Sequence, residues 1–277
     1  MLPGYNTNGF PHHRLSDAIT ILSELGYRSV AITLTAAQLE PPDRGGVGQA
    51  VEFLQRVLAR FDVHVTIETG DRFILDSFRK HQPTLLSASA QGRQKRLEFL
   101  KASIDIAAAL AADSVSLWSG AADDEAGETQ HFSRLVAGLG ELLDYAQARG
   151  IRLSFEPEPG MFIDTMDRFA RLMRQMNHPL LGLTLDVGHV HCLSDGEIAD
   201  HASRWRDRLW NVHIEDMRRG VHEHLMFGEG GMDFRTVFES LRAIDYAGPL
   251  HVELPRHGHD AVEIARRSYE FMQKFLA

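Results

Sequence analysis

The chain has 277 residues, 44% hydrophobic and 24% charged, a balance that supports a sizeable core in one large domain or two ordinary ones. Its net charge of −9 argues against a nucleic-acid partner, because binding a phosphate backbone needs clustered Lys and Arg. A lone cysteine, Cys192, excludes an internal disulfide and suits a reducing compartment. The opening residues lack a signal-peptide pattern, and no apolar run approaches the ~20 residues that span a membrane. The expectation is a soluble cytoplasmic protein without membrane partners. Nine of the fifteen histidines lie between His189 and His259.

In chain order, residues 2–8 read as a first strand, before a helix at 15–25 that Gly26 ends. "YRSVAITL" (27–34) reads as a strand, and 47–61 as a helix with Val51, Leu54, Val57, Leu58 and Phe61 on one face. A strand follows at 62–68 and a long helix at 93–112. Next come a strand at 113–118, a helix at 131–150 closed by Gly150, and a strand at 151–156. The helix at 164–176 has Asp164 or Thr165 as its N-cap. Beyond it are a strand at 180–186, a short helix around 195–205 and a strand at 209–216. A helix at 233–246 capped by Asp233, a strand at 248–254 and a helix at 260–276 complete the pattern. The reading has eight strand–helix pairs. Strict alternation implies parallel strands with crossovers, and eight such units predict a single (β/α)8 TIM barrel of the α/β class over residues 1–277. The alternative, a doubly wound open sheet, fits less well. Its commonest forms use fewer units, and the first turn, "YNTNGFPHHRLS", lacks the G-x-G-x-x-G phosphate loop.

Chemistry in such barrels collects at the C-terminal strand ends. There the sequence places Glu68, Trp118, Glu156 followed by Glu158, Asp186 followed by His189, His213 followed by Asp216, and Glu253. A carboxylate at the end of a buried strand needs a partner. "FEPEPG" (155–160), with two glutamates between prolines, raises that question most sharply. Convergence of Glu156, Asp186, His213 and Glu253 on one divalent ion answers it. Three carboxylates and an imidazole form a hard, oxygen-rich set, and without a cation the carboxylates repel one another. Manganese is the ion expected first, with magnesium, cobalt and zinc as alternatives.

These motifs resemble the sugar phosphate isomerase/epimerase superfamily of xylose isomerase-like barrels, whose relatives include the endonuclease IV type of DNA repair enzyme (AP endonuclease family 2). The resemblance rests on "LSFEPEPG" (Glu156), "LDVGH" (Asp186, His189), "VHIED" (His213, Asp216), "FGEGGMDF" (227–234) and "HVEL" (Glu253). It implies that Glu156, Asp186, His213 and Glu253 are metal ligands and that Glu156 and Glu253 double as the acid/base pair. His189 holds a substrate oxygen in that picture. Glu68 and Trp118 stand on the substrate side. Asp216 binds a substrate hydroxyl, orients a ligand or caps the following turn, and Glu158 supports a ligand from behind.

The pattern departs at "HEH". In the endonuclease IV branch an Asp-x-His pair supplies an additional zinc, whereas this chain has His222 and His224. These two are expected to contact substrate. The long loop from Thr69 to Gly92, rich in Phe, Ile and Leu, is expected to form a lid or a subunit contact. The resemblance implies a homodimer or homotetramer. The function expected is a metal-dependent isomerase or epimerase of a small ketose, polyol-derived or keto-acid substrate, working through an enediolate. The alternatives are a metal-dependent dehydratase, a zinc phosphodiesterase of the repair type, and a non-catalytic sugar-binding barrel.

Overall fold

The structure is a computed structural model that describes residues 1–36 and 47–276. The barrel strands are β1 (Leu2–Asn6), β2 (Ser29–Thr33), β3 (His64–Glu68), β4 (Ser114–Leu117), β5 (Arg152–Phe155), β6 (Leu181–Asp186), β7 (Leu209–Ile214) and β10 (Pro249–Val252). They close in the order β1-β10-β7-β6-β5-β4-β3-β2, every neighbouring pair parallel. This is the (β/α)8 barrel expected from the alternation. Around it lie α1 (Leu15–Leu25), α2 (Val47–Leu58), α3 (Ala90–Ala109), α4 (Glu128–Gln147), α5 (Met166–Met176), α7 (Ile198–Trp205), α8 (Phe234–Ala243) and α9 (Ala261–Leu276). No described helix is long and apolar enough to cross a membrane.

Helix boundaries follow local chemistry. Gly26 takes φ 104° and closes α1, a conformation glycine adopts without Cβ strain. Ser89 accepts a hydrogen bond from Gly92 N and so starts α3 three residues earlier than the apolar period suggests. Thr165, not Asp164, caps α5, and Asp233 caps α8 as expected.

Two elements were not anticipated. A seven-residue helix, α6 (Val187–Leu193), follows β6 directly, because the Asp186 side chain accepts from His189 N and caps it. It is too short to show a period in the sequence. The expected strand 209–216 also divides. β7 stops at Ile214, and β8 (Asp216–Arg218) turns back against β9 (Val221–Leu225) as an antiparallel hairpin outside the barrel.

Strand parity sets the interior. Val30, Ile32, Val65, Ile67, Val115, Leu117, Leu153, Phe155, Leu183, Leu185, Val212 and Ile214 are buried members of the apolar core, and Phe155 stacks on Phe169 of α5. The alternate positions are small or polar and meet one another inside the barrel. Ser114 bonds Ser154 at 3.1 Å, and Ser116 reaches Thr184 at 3.0 Å across the intervening β5. Asn211 Oδ1 accepts from His251 Nδ1 at 2.7 Å, and His251 Nε2 lies 2.8 Å from Ser29 Oγ. Branched apolar side chains commonly fill such barrels; this one has a hydrogen-bonded polar filling.

The loop after β3 turns most of its apolar residues inward. Leu85 and Leu86 are core residues and Ile74 and Leu75 pack against the core, so they are not held out for a lid or a partner. Phe73 and Phe78, 50% and 94% exposed, are the outward-facing members. Arg96 of α3 ties the loop down: its buried guanidinium donates to the carbonyls of Pro83 and His81 and lies 5.1 Å from the Trp118 ring centroid.

The polar filling is sensitive to volume. A Cβ on Gly4 would lie 2.4 Å from His251 Cδ2. Gly4→Ala is therefore expected to push His251 off Asn211 and cost about 1–3 kcal/mol, seen as a lower urea midpoint with an unchanged m-value.

Candidate metal centre

The inward parity that fills the barrel carries on past the strand ends. Glu68 ends β3, Glu156 follows β5, Asp186 ends β6, His213 lies one residue before the end of β7, and Glu253 follows β10. Asp186 is the register partner of His213, and His213 of His251. His213 is the hub. Its Nδ1 lies 3.1 Å from Glu156 Oε1 and 3.0 Å from Glu253 Oε2, and 4.0 Å from Asp186 Oδ2. One ligand atom from each of Glu156, Asp186, His213 and Glu253 lies within 4.8 Å of the others. The four residues singled out from the strand ends are thus brought together.

Glu68 both faces the cavity and bonds the imidazole. Its Oε1 is 3.0 Å from His213 Nε2 and accepts from Asn211 Nδ2 at 3.1 Å. The carboxylate lines the cavity, but it is bonded to the far side of the imidazole and fixes its tautomer, a partner that metal-ligating histidines usually have. Asp216 also departs from a substrate role. Its oxygens accept from Met217 N, Gly228 N and Met232 N at 2.9, 2.9 and 3.1 Å. It ties the β8–β9 hairpin to the turn that follows, the capping alternative among those the sequence left open.

The charges are strongly unequal. Burial alone would lower the proton affinity of His213, but the carboxylates of Glu156, Glu253 and Glu68 hold it well above its usual value. Burial drives Glu156 well above the usual carboxylate range, against the pull of His213. Burial acts on Glu253 in the same sense, yet His213 and the other imidazoles hold it below that range, and Asn8 Nδ2 donates to its Oε1 at 2.8 Å. Two carboxylates on one imidazole are held apart in acidity. The donor set of three carboxylates and one imidazole fits a divalent ion, and Asp186 Oδ2, buried, has no hydrogen-bond partner among the described residues.

A second group stands beside it. His189, His222 and His224 also bring ligand atoms within 4.8 Å of one another. His189 Nδ1 donates to Pro157 O at 3.2 Å, so its Nε2 faces His222 Nε2 at 3.0 Å. Burial, with the neighbouring His189 and His224, lowers His222 to about 4. His224 behaves oppositely: burial would lower it, but Glu215, Glu253 and Asp186 raise it to about 10.

All of this opens into a cavity of about 640 Å³ walled by Asn8, Trp118, Glu158, His189, His222 and His224 and, toward its mouth, Arg72, Lys80 and Arg256, within the ~300–1,000 Å³ typical of small-molecule sites. His81 sets its ring edge-on to Trp118. Burial raises Glu158 to about 7, helped by the charge on Glu253.

Sequence reasoning missed Asn8, Asn211 and Glu215. Glu215 had a signal: it lies two residues past His213, on the same parity, and is completely buried. Asn8 had none, since its one-turn helix (Thr7–Gly9) has no period to read.

With this geometry, the similarity to known proteins takes on meaning. Residues 19–275 match the model of the xylose isomerase-like TIM barrel, and the chain belongs to that family. An inosose dehydratase of Lactiplantibacillus plantarum is 26% identical over 166 residues, 53% of this chain and 55% of that protein. The chain spans about half the length of the curated relatives it matches. Two solved structures share the fold over almost their whole length. One is the 3-keto-D-glucoside 4-epimerase YcjR from E. coli (TM-score 0.80, 17% identity, 99% of each chain). The other is the IOLI protein with a bound zinc atom (TM-score 0.80, 16% identity, 100% of each chain).

Asp216→Ala tests the hairpin assignment. Hydrogen bonds to a charged group contribute about 1.5–3 kcal/mol each, so amide exchange at Met217, Gly228 and Met232 is expected to accelerate about tenfold or more, while barrel amides such as Val212 keep their protection.

Proposed function

We propose that the chain is a divalent-metal-dependent isomerase or epimerase of a small ketose, polyol-derived or keto-acid substrate. The observation that carries the proposal is the convergence of Glu156, Asp186, His213 and Glu253 beside the cavity, with Glu156 and Glu253 both set on one imidazole. Two such carboxylates can divide the acid and base roles.

Glu156, Asp186, His213 and Glu253 would hold the ion. When bound, it supplies Lewis-acid polarisation of a carbonyl and its neighbouring hydroxyl, which favours the enediolate. The chain's own groups move the protons. Glu253, steadied by Asn8, would take the proton from carbon. Glu156 would return one to the same carbon from the other side for epimerisation, with water in the cavity resetting the two carboxyls; for isomerisation the proton would return to the adjacent carbon while a hydroxyl proton passes between the two oxygens. Glu68 keeps the His213 ring in place throughout. His189, His222 and Trp118 wall the space where hydroxyls would sit. Manganese remains the ion expected on ligand hardness, and the zinc of the IOLI protein supports zinc as the alternative.

A dehydratase reading draws on one further observation. His224 lines the cavity 3.8 Å from the Glu215 carboxylate, which favours its imidazolium form, and as an acid there it would protonate a departing hydroxyl after the same first proton abstraction. The inosose dehydratase relative supports it.

The test is deuterium uptake from heavy water into a panel of ketoses and keto acids, followed by NMR with manganese or zinc supplied. Wild type is expected to exchange a carbon-bound proton, and Glu156→Gln and Glu253→Gln each to slow exchange about 10²–10⁴-fold. Exchange that survives both substitutions sinks the acid/base assignment. Product lacking one water decides for the dehydratase.

A further inference from the structure

The loop between β3 and α3, with the first turns of α3, carries a set of cations, and most of them are already partnered. Arg79 is held by Asp76 at 2.7 Å and lies 3.8 Å from Asp123. Lys95 donates to Leu75 O, and Arg96 donates to the carbonyls of His81 and Pro83. Elsewhere at the mouth, Arg256 is bound to Glu223. Arg72 and Lys80 differ. Both line the cavity, and neither has a side-chain hydrogen bond or an ion pair among the described residues.

The loop is built to bring these two together. Phe73 takes φ 60°, a left-handed conformation that a bulky residue adopts only when its surroundings impose it. Phe73 N then donates to Lys80 O at 2.7 Å. Inside this closed turn Asp76 accepts from Phe78 N and Arg79 N at 2.9 and 3.1 Å. The closure sets the residue after Arg72 against the backbone of Lys80. Both charges act on one ring: burial, then Lys80, Arg72 and Arg96, lower His81 to about 4.

Two such cations at the mouth, above a floor of carboxylates, polarise the cavity along its length. A ligand with one acidic end fits that polarity. Its carbonyl end would lie with the acid/base pair, and its anionic end between Arg72 and Lys80. The charge balance narrows the anion. Asp71 adjoins Arg72 and lines the same cavity, so two cations and one carboxylate leave a single positive charge. Glu158 and Glu223 line the cavity as well. A carboxylate matches that balance, whereas the second charge of a phosphate ester would be left unmatched beside Asp71. The arginine fork also pairs a carboxylate through two parallel N–H donors.

We infer that Arg72 and Lys80 form an anion subsite that takes the carboxylate of a sugar acid or keto acid. The inference rests on the proposed reaction for the other end of the substrate, and it selects the acidic members of that substrate range over neutral ketoses.

The experiment is equilibrium dialysis of the full chain, with manganese supplied, against three matched six-carbon 2-ketoses. Their C6 carries a hydroxymethyl group, a carboxylate or a phosphate ester. Wild type is expected to bind the carboxylate about tenfold or more tightly than the neutral sugar. Arg72→Ala and Lys80→Ala are each expected to weaken carboxylate binding about tenfold, and about 0.5 M sodium chloride to weaken it in wild type. Both residues are exposed, so neither substitution threatens the fold. Equal binding of the acid and the neutral sugar overturns the subsite and leaves the proposed reaction standing. A preference for the acid that survives both substitutions also overturns the subsite. Tightest binding of the phosphate ester, lost in the same variants, overturns the carboxylate assignment. Deuterium exchange separates the two claims: a carboxylate bound through Arg72 and Lys80 without exchange of a carbon-bound proton supports the subsite and sinks the proposed reaction.

Discussion

The period-two alternation of the barrel strands is the constraint on which the rest depends. Each strand turns an apolar residue toward the helices and a small or polar one toward the axis, and the parity runs unbroken into the residue after the strand. "HVTIE", "LSFE", "LTLD", "NVHI" and "LHVE" all obey it. A slip of one residue in any of them would exchange the two faces, placing a carboxylate under a helix and a leucine in the cavity floor. Fold and site are therefore specified by the same feature, and neither can drift without the other.

Within that frame His213 is held from all sides. Glu68 fixes Nε2, Glu156 and Glu253 approach Nδ1, and Asn211 joins Glu68 to His251 and on to Ser29. The polar filling of the barrel is thus a support reaching from β2 through β10 to the rim. It explains why residues far apart in sequence, such as Ser29 and His213, belong to one hydrogen-bonded unit. Such a network is rigid when satisfied and costly when broken, which suits a site that must hold three carboxylates close together.

The sequence carried the barrel clearly, because eight alternating units leave few topologies. It also carried the four rim residues Glu156, Asp186, His213 and Glu253, because each lies within one residue of a strand's C-terminal end. It carried less where one residue has two jobs or where structure is local. Asp186 is at once strand end, helix cap and rim carboxylate, and its cap creates α6 from residues too few to show a period. Glu68 ends a strand like the others, yet its direction is set by His213 on a distant strand, which no local pattern encodes. Asp216 has the residue type of a ligand, and only the hairpin reveals its three amide donors. Glu215 was passed over because a single acidic residue between His213 and Asp216 looks like a solvated charge until burial is known.

The cavity divides into a floor and a wall of different origin. The floor comes mostly from strands β5, β6, β7 and β10, with the polar barrel filling beneath it. Much of the mouth comes from segments after the early strands, including Asp71, Arg72, Lys80 and His81. The stretch around His81 is held by Arg96 and packs on Trp118, while Asn8 after β1 reaches the floor through Glu253. This division makes the scaffold evolvable: the early loops can be rewritten for a new ligand while the chemical floor is inherited intact.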